Sequence, residues 1–273
     1  MQSIARLFAG FSILIVLLLV ASAYFAHRAD FEFDKYTKNT PVVLNDSVYW
    51  LSNSGHILSN KGESVFTAQD FETSVTEKSG LTGDYLLYWF NQDDSFCASA
   101  LGSDDKQHFV PGYLSNFQPF ETEHIWVPLK TLAMKKRYMY DHEQYNGYKD
   151  VWQYSVEGYT NTIGDCEDHS IVLCDWLLSL GYETRVAVGT YDKQGHAWVV
   201  LYKDNKEFIL EATQKSNLGR NAHYPLAALV PQYKPVFMFD QLHIYRPNST
   251  GERSHEKSKW HRSTSYLRNK EII

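Results

Sequence analysis

The sequence predicts an α+β fold in which one helix is followed by an antiparallel β-meander. The helix is indicated by the stretch from Asp165 to Gly181, in which a polar start leads into an apolar run from Ile171 to Leu180. Aspartate suits a helix N-cap, Asp168 follows three residues later as in a capping box, and glycine suits the position after the last turn. Three strand-like runs separated by turn residues indicate the meander. We therefore expect the helix to pack on an antiparallel sheet.

The register of the meander brings three polar and aromatic side chains together. Asp204 and Asn205 have the character of a two-residue hairpin turn. Counting outward from such a turn puts His196, Trp198 and Glu211 on one face of the sheet, because strand side chains alternate. His196 and Glu211 then lie diagonally, with Cβ atoms about 7 to 8 Å apart. The runs are Glu183–Tyr191, His196–Tyr202 and Glu207–Thr213.

Cys166 is the first residue of the predicted helix. Free backbone N–H groups and the positive end of the helix dipole surround a sulfur at this position and favour its thiolate. The alternative is that Asp165 and Glu167 only cap a core helix and that Cys166 is a small buried residue. Cys174 lies within the apolar run, so we expect it to be a core residue.

A cysteine at a helix start, a strand histidine and a neighbouring acid are the components of a thiol acyl-transfer site. In this hypothesis Cys166 attacks a carbonyl carbon, His196 carries the proton, and Glu211 holds the imidazole tautomer. The backbone N–H of Cys166 would contact the oxyanion, with Trp152 or Gln153 as the candidate side-chain donor.

Three motifs in order resemble the transglutaminase-like superfamily: Gly164–Ser170, Gly195–Trp198 and Leu210–Thr213. The run Gly-Asp-Cys-Glu-Asp within the first motif resembles the bacterial transglutaminase-like cysteine proteinases. The resemblance extends over approximately Pro128 to Thr213. It implies a papain-like α+β fold, a protein or peptide substrate, and no required cofactor.

The resemblance also implies roles for particular residues. Cys166 takes the place of the nucleophile and His196 that of the base. Glu211 falls where the family more often has aspartate. Acids that flank the cysteine can bind calcium in the proteinase branch, which implies a calcium site at Asp165 and Glu167.

Composition, patterning and the family resemblance together predict four segments along the chain. Residues 29–127 contain short β-like runs broken by turn residues, and they form a β-rich extension of unknown role. The last residues are rich in charged and polar side chains, which predicts a mobile tail. The predicted segments are a transmembrane signal anchor at 1–28, the extension at 29–127, a transglutaminase-like catalytic domain at 128–246 and the polar tail at 247–273.

An uncharged apolar run, Leu7–Ala26, is long enough to cross a bilayer as a helix. It continues beyond Ala21–Ala23, which resembles a signal cleavage site. We therefore expect a single-pass membrane protein whose catalytic domain is exported to the periplasm or the cell exterior. Secretion after signal cleavage is the alternative. The three cysteines can form at most one disulfide, so at least one thiol remains free.

These features predict an exported, membrane-tethered thiol enzyme that hydrolyses or transfers amide acyl groups of proteins or peptides. The alternative is an inactive scaffold of the same fold that binds peptide or cell-wall material. A metal site made of Cys166, His169 and Cys174 is disfavoured, because one helix cannot wrap these spacings around a tetrahedral ion. The net charge of −6 argues against a nucleic-acid partner.

Overall fold

The computed structural model describes residues 42–44, 47–49, 56–59, 64–66, 86–90, 95–214 and 224–267. Residues 39–273 form one compact unit. The helices are α1 (Trp126–Lys135), α2 (Asp141–Gln144), α3 (Ser155–Thr160) and α4 (Cys166–Ser179). The strands are β1 (Val42–Leu44), β2 (Ser47–Tyr49), β3 (His56–Ser59), β4 (Ser64–Phe66), β5 (Leu87–Phe90), β6 (Phe96–Gly102), β7 (Gln107–Phe109), β8 (Arg137–Tyr138), β9 (Val151–Trp152), β10 (Ile163–Gly164), β11 (Glu183–Tyr191), β12 (Gln194–Lys203), β13 (Lys206–Leu210), β14 (Tyr233–Phe239), β15 (His243–Pro247) and β16 (Trp260–Leu267).

The largest sheet of the described residues is antiparallel, and helix α4 packs on it. Its strand order is β13-β12-β11-β14-β15-β16-β3-β4. Ile171 and Leu173 of α4 share one buried cluster with Val199, Leu201 and Phe237 of the sheet. Burying these apolar side chains together is the main favourable term that holds the two layers in contact. The predicted combination of a cysteine helix and an antiparallel sheet is confirmed.

Both ends of helix α4 have the predicted local signals. The helix begins at Cys166, and the side chain of Asp168 accepts the backbone N–H of Asp165 at 3.3 Å. Gly181 has a φ of +85°, and its N–H donates to the carbonyl oxygen of Leu178 at 2.9 Å. Glycine adopts this left-handed conformation without the steric cost of a Cβ atom. The helix boundaries therefore follow from residues next to them in sequence.

The hairpin between β12 and β13 has the predicted register. Asp204 and Asn205 have φ values of +53° and +55°, which are typical of a two-residue type I′ turn. Lys203 pairs with Lys206 across this turn. The ladder ends at the pair of Val199 with Leu210, and the side chains of His196 and Glu211 meet beyond it, as the strand alternation predicted.

The segment predicted as a polar mobile tail contains strand β16, which lies inside the large sheet between β15 and β3. Ser263 and Thr264 are buried, although both are polar. The hydroxyl of Thr264 donates to the carbonyl oxygen of Phe96 at 2.8 Å, and that of Ser263 accepts the N–H of Phe96 at 3.0 Å. The prediction of a tail is wrong for these residues because a distant strand satisfies their hydroxyl groups.

The predicted N-terminal extension contributes strands to three sheets of the described residues. β1 and β2 pair with each other, β3 and β4 extend the large sheet beyond β16, and β5, β6 and β7 form a further sheet. β6 also pairs in parallel with β9, whose residues directly precede the cysteine region. The extension and the predicted catalytic segment therefore share strand pairs. The role of the extension stays open.

The predicted membrane span, Leu7–Ala26, lies outside the described residues. Within the part of the chain that the structure describes, no helix is both long enough and apolar enough to span a bilayer.

Candidate active site

Cys166 lies at the start of helix α4, partly exposed, with acidic neighbours on both sides. Its sulfur donates a hydrogen bond to Oε2 of Glu167 at 3.2 Å. Burial of the sulfur and the charge of Asp165 raise the pKa of the Cys166 thiol to about 12, although the backbone N–H of Ala197 opposes this rise. The sequence predicted a thiolate favoured by the helix start. In the structure desolvation and carboxylate charge outweigh that effect, so the thiol is protonated.

His196 and Glu211 form the predicted pair. Nε2 of His196 lies 2.8 Å from Oε2 of Glu211, and both side chains are largely buried. Burial opposes ionisation of Glu211, but the hydrogen bond and charge of His196, helped by Thr213, outweigh it and lower the pKa of this carboxyl. A carboxylate on Nε2 leaves Nδ1 as the nitrogen that can exchange a proton with a neighbouring group.

The end of strand β12 carries this pair to the start of helix α4. Ala197, which directly follows His196, directs its backbone N–H at the sulfur of Cys166. The charge of His196 also acts on Asp165, the residue before the cysteine. The structure therefore brings the three residues with predicted catalytic roles into one region, although they are 45 positions apart in sequence at the extremes, Cys166 and Glu211.

A cluster of buried acids lies beside the cysteine. Oxygen atoms of Asp141, Asp150 and Glu167 lie within 4.8 Å of one another, and oxygens of Asp141, Asp165 and Asp168 do the same. One carboxylate oxygen each of Asp141, Asp165 and Glu167 is buried without a hydrogen-bond partner. Burial and neighbouring negative charge raise the pKa of Asp141 to about 9 and that of Glu167 well above its usual range.

This donor set is suited to a hard divalent cation. Calcium takes several carboxylate oxygens at about 2.3 to 2.6 Å, which is compatible with oxygens that lie within 4.8 Å of one another. The predicted ligands Asp165 and Glu167 are both in the cluster. Asp141, the first residue of helix α2, and Asp150, which directly precedes β9, have no ligand-like spacing in the sequence and were not predicted. Among the described residues, no candidate metal set contains His169 or Cys174.

The two candidate oxyanion donors are bonded to other groups. The indole N–H of Trp152 donates to Asp150 at 2.8 Å. The side-chain amide of the fully buried Gln153 donates to Asp168 at 2.8 Å and to the carbonyl oxygen of Ile163 at 3.1 Å. Carboxylates are strong acceptors, so these donors are held by the structure rather than free for a substrate. The oxyanion role of Trp152 and Gln153 stays a prediction that this geometry does not favour.

Tyr138 is a neighbour of the cysteine that the sequence analysis did not single out. It pairs with Gly164 in the short parallel ladder between β8 and β10, two residues before Cys166. Burial and the nearby charges of Cys166 and Asp165 raise the pKa of the Tyr138 phenol. The side chain remains 36% exposed. No spacing or motif in the sequence marks it.

A family model described as the CEP76 peptidase-like domain matches residues 150–261. This range contains the cysteine helix, the histidine strand and Glu211. A human relative, Protein CC2D2B, is 32% identical over 65 residues, which cover 24% of this chain and only 4% of that protein. The matched range contains all three sequence motifs that carry the resemblance, Gly164–Ser170, Gly195–Trp198 and Leu210–Thr213.

Solved structures with related features are remote. Legionella pneumophila LapG is 19% identical, with a TM-score of 0.37, and the match covers 55% of this chain and 80% of that one. Its calcium-bound form has 20% identity and the same TM-score, with 55% and 83% of the two chains covered. A structure from Cytophaga hutchinsonii, provisionally described as a cysteine protease, has 14% identity, a TM-score of 0.28 and coverage of 52% and 51%.

Proposed function

We propose that this chain, whose residues 150–261 match the CEP76 peptidase-like domain, is a transglutaminase-like cysteine peptidase that hydrolyses or transfers amide acyl groups of proteins or peptides. The observation that carries the proposal is the contact of Nε2 of His196 with Glu211 at 2.8 Å, at a strand end whose Ala197 N–H is directed at the Cys166 sulfur. A nucleophile, a base and an orienting acid are the requirements of this chemistry. We favour hydrolysis, because nothing in the sequence indicates an acceptor site for a second amine.

In the proposed reaction the thiol loses its proton as it attacks. Because the pKa of Cys166 is about 12, little thiolate exists beforehand, and Nδ1 of His196 takes the proton while the sulfur bonds to the carbonyl carbon. Glu211 stabilises the resulting imidazolium. The imidazolium then protonates the leaving amine as the C–N bond breaks, and a thioester remains. Water, deprotonated by the imidazole, releases the acid and restores the thiol.

The backbone N–H of Cys166 is our candidate oxyanion donor. It belongs to the first turn of helix α4, where N–H groups have no partner within the helix. Such groups are directed at the position where negative charge develops during attack by the same residue's sulfur. Burial and the charge of Cys166 raise the pKa of the Tyr138 phenol, so its hydroxyl keeps its proton, and we take it as the side-chain candidate.

We propose that Asp165 and Glu167, together with Asp141 and Asp150, hold calcium. Three of these residues bury a carboxylate oxygen without a hydrogen-bond partner, which supports the assignment. When bound, the ion would supply positive charge next to carboxylates that now raise the pKa of Cys166. Isothermal titration with calcium should show binding to the wild type, and D165N or E167Q should weaken it at least tenfold. Absence of heat and of any melting shift would exclude the site.

Membrane tethering and export are also proposals, supported by the apolar run Leu7–Ala26. The full chain should sediment with membranes in its native host, and a protease added outside the membrane should digest the catalytic region. Deletion of residues 1–28 should release the protein to the soluble fraction. Retention of the deleted form on membranes would exclude this run as the anchor.

An inactive scaffold is the second candidate, and the protonated, acid-flanked thiol is the observation that favours it. The test uses a peptide library and an electrophilic acyl probe, with C166A as the matched variant that keeps the buried Cys97 and Cys174. The proposed enzyme should cleave peptides and label at one residue, and C166A should do neither. Peptide or glycan binding without cleavage or labelling would favour the scaffold.

A further inference from the structure

The carboxylate of Glu211 is fully occupied by hydrogen bonds. Oε2 accepts from Nε2 of His196 at 2.8 Å and from the hydroxyl of Tyr233 at 2.9 Å. Oε1 accepts from the backbone N–H of Thr213 at 3.1 Å and from its hydroxyl at 2.7 Å. Two of the four donors come from one residue nearby in sequence. Tyr233 is the donor that sequence proximity does not explain.

Tyr233 is held in place by its own strand and by aromatic packing. It is the first residue of β14 and pairs with Tyr191 across the ladder to β11. The two tyrosine rings have centroids 4.6 Å apart, and the indole of Trp198 meets the Tyr233 ring edge-on at 5.2 Å. A ring packed on two sides cannot rotate freely, so its hydroxyl has a fixed position relative to Glu211.

The direction of the Tyr233 bond follows from the protonation states. Glu211 is ionised and can only accept, so the phenol must donate. Burial and the charge of Glu211 raise the pKa of Tyr233, which keeps its proton in place. Glutamate has one more rotatable bond than the aspartate that the family more often carries, and a bond on each oxygen removes that freedom.

We propose that Tyr233 is a positioning residue, which fixes the Glu211 carboxylate so that the longer glutamate side chain can orient His196 toward Cys166. The bond acts through Glu211 and not on the substrate. This inference rests on the proposed catalytic triad, so its test must separate a failure of the positioning role of Tyr233 from a failure of the peptidase assignment.

The test measures the second-order rate at which iodoacetamide alkylates Cys166, since this rate depends on the imidazole but needs no substrate. The proteins are the wild type, Y233F, E211Q and the double variant, with C166A to identify the labelled site. Y191F is the matched control, because it removes a hydroxyl from the same aromatic pair without removing a bond to Glu211. Thermal melting establishes that each variant is folded.

Y233F should lower the alkylation rate about fivefold, the order of the net contribution of one ordinary hydrogen bond, because the Glu211 carboxylate keeps its other three bonds. Y191F should not change the rate. The double variant should match E211Q, because residues that act through one another are not additive. When a peptide that the wild type cleaves is used as substrate, Y233F should lower kcat and leave KM unchanged.

Equal alkylation rates for Y233F and Y191F, or additive losses of rate in the double variant, would overturn the positioning role of Tyr233. A wild-type alkylation rate in E211Q would overturn both the catalytic triad and the positioning role of Tyr233. If the alkylation rates follow the expected pattern but no peptide is cleaved, the positioning role of Tyr233 is supported and the peptidase assignment fails.

Discussion

Replacing Glu211 with glutamine tests whether the acid supports His196 during the reaction. The substitution keeps the size of the side chain and removes its charge, so the 2.8 Å contact with Nε2 of His196 loses its ionic component. A hydrogen bond to a charged group contributes about 1.5 to 3 kcal/mol, and each 1.36 kcal/mol corresponds to tenfold in rate. We therefore expect kcat/KM to fall about 10- to 150-fold.

The assay is the initial rate of peptide cleavage at substrate concentrations below KM, between pH 5 and pH 9. Glu207→Gln is the matched control, because it makes the same change on strand β13 at a distance from the His196 pair. Circular dichroism at the assay temperature confirms that both proteins are folded. The reasoning fails if E211Q retains more than half of the wild-type kcat/KM, or if E207Q loses as much activity as E211Q.

Three further outcomes are expected. K136M should lower the free energy of unfolding by about 3 kcal/mol in urea titrations, because the buried amine donates to Gly158 and offsets the charge of Asp168. An unchanged midpoint of urea unfolding would contradict this prediction. Burial lowers the pKa of His255 to about 4, so below about pH 6.5 the unfolded chain binds a proton that the folded chain does not. The free energy of unfolding should therefore fall by about 2 kcal/mol from pH 8 to pH 5, and H255Q should lack this contribution to the fall. An identical dependence of stability on pH in H255Q and the wild type would refute the role of His255. Tyr138→Phe should reduce kcat about tenfold with little change in KM, whereas unaltered cleavage kinetics would exclude its hydroxyl as an oxyanion donor.

Features that depend on neighbouring residues were predictable from the sequence. The ends of helix α4 depend on Asp165 and Gly181, and the register of the β12–β13 hairpin depends on two turn residues. Once the register is known, strand alternation brings His196 and Glu211 to one face. These are local steric and hydrogen-bonding preferences, which act before distant parts of the chain come into contact.

Features that depend on distant partners were not predictable in the same way. Strand β16 has a polar composition, and its buried hydroxyls are satisfied by the backbone of Phe96, which is more than 160 positions away. Tyr233 reaches Glu211 from another strand, and Asp141 reaches Glu167 from the start of helix α2. No periodicity or spacing in the sequence marks these encounters.

The sequence by itself determined the cysteine helix, the meander behind it and the three residues proposed to carry the chemistry. The tertiary structure decided the electrostatics: it buries Cys166 among acids and raises its pKa to about 12, whereas the isolated helix start would favour the thiolate. The reason is that a helix end stabilises charge through atoms close in sequence, but desolvation and carboxylate repulsion depend on every group that folding brings near the sulfur.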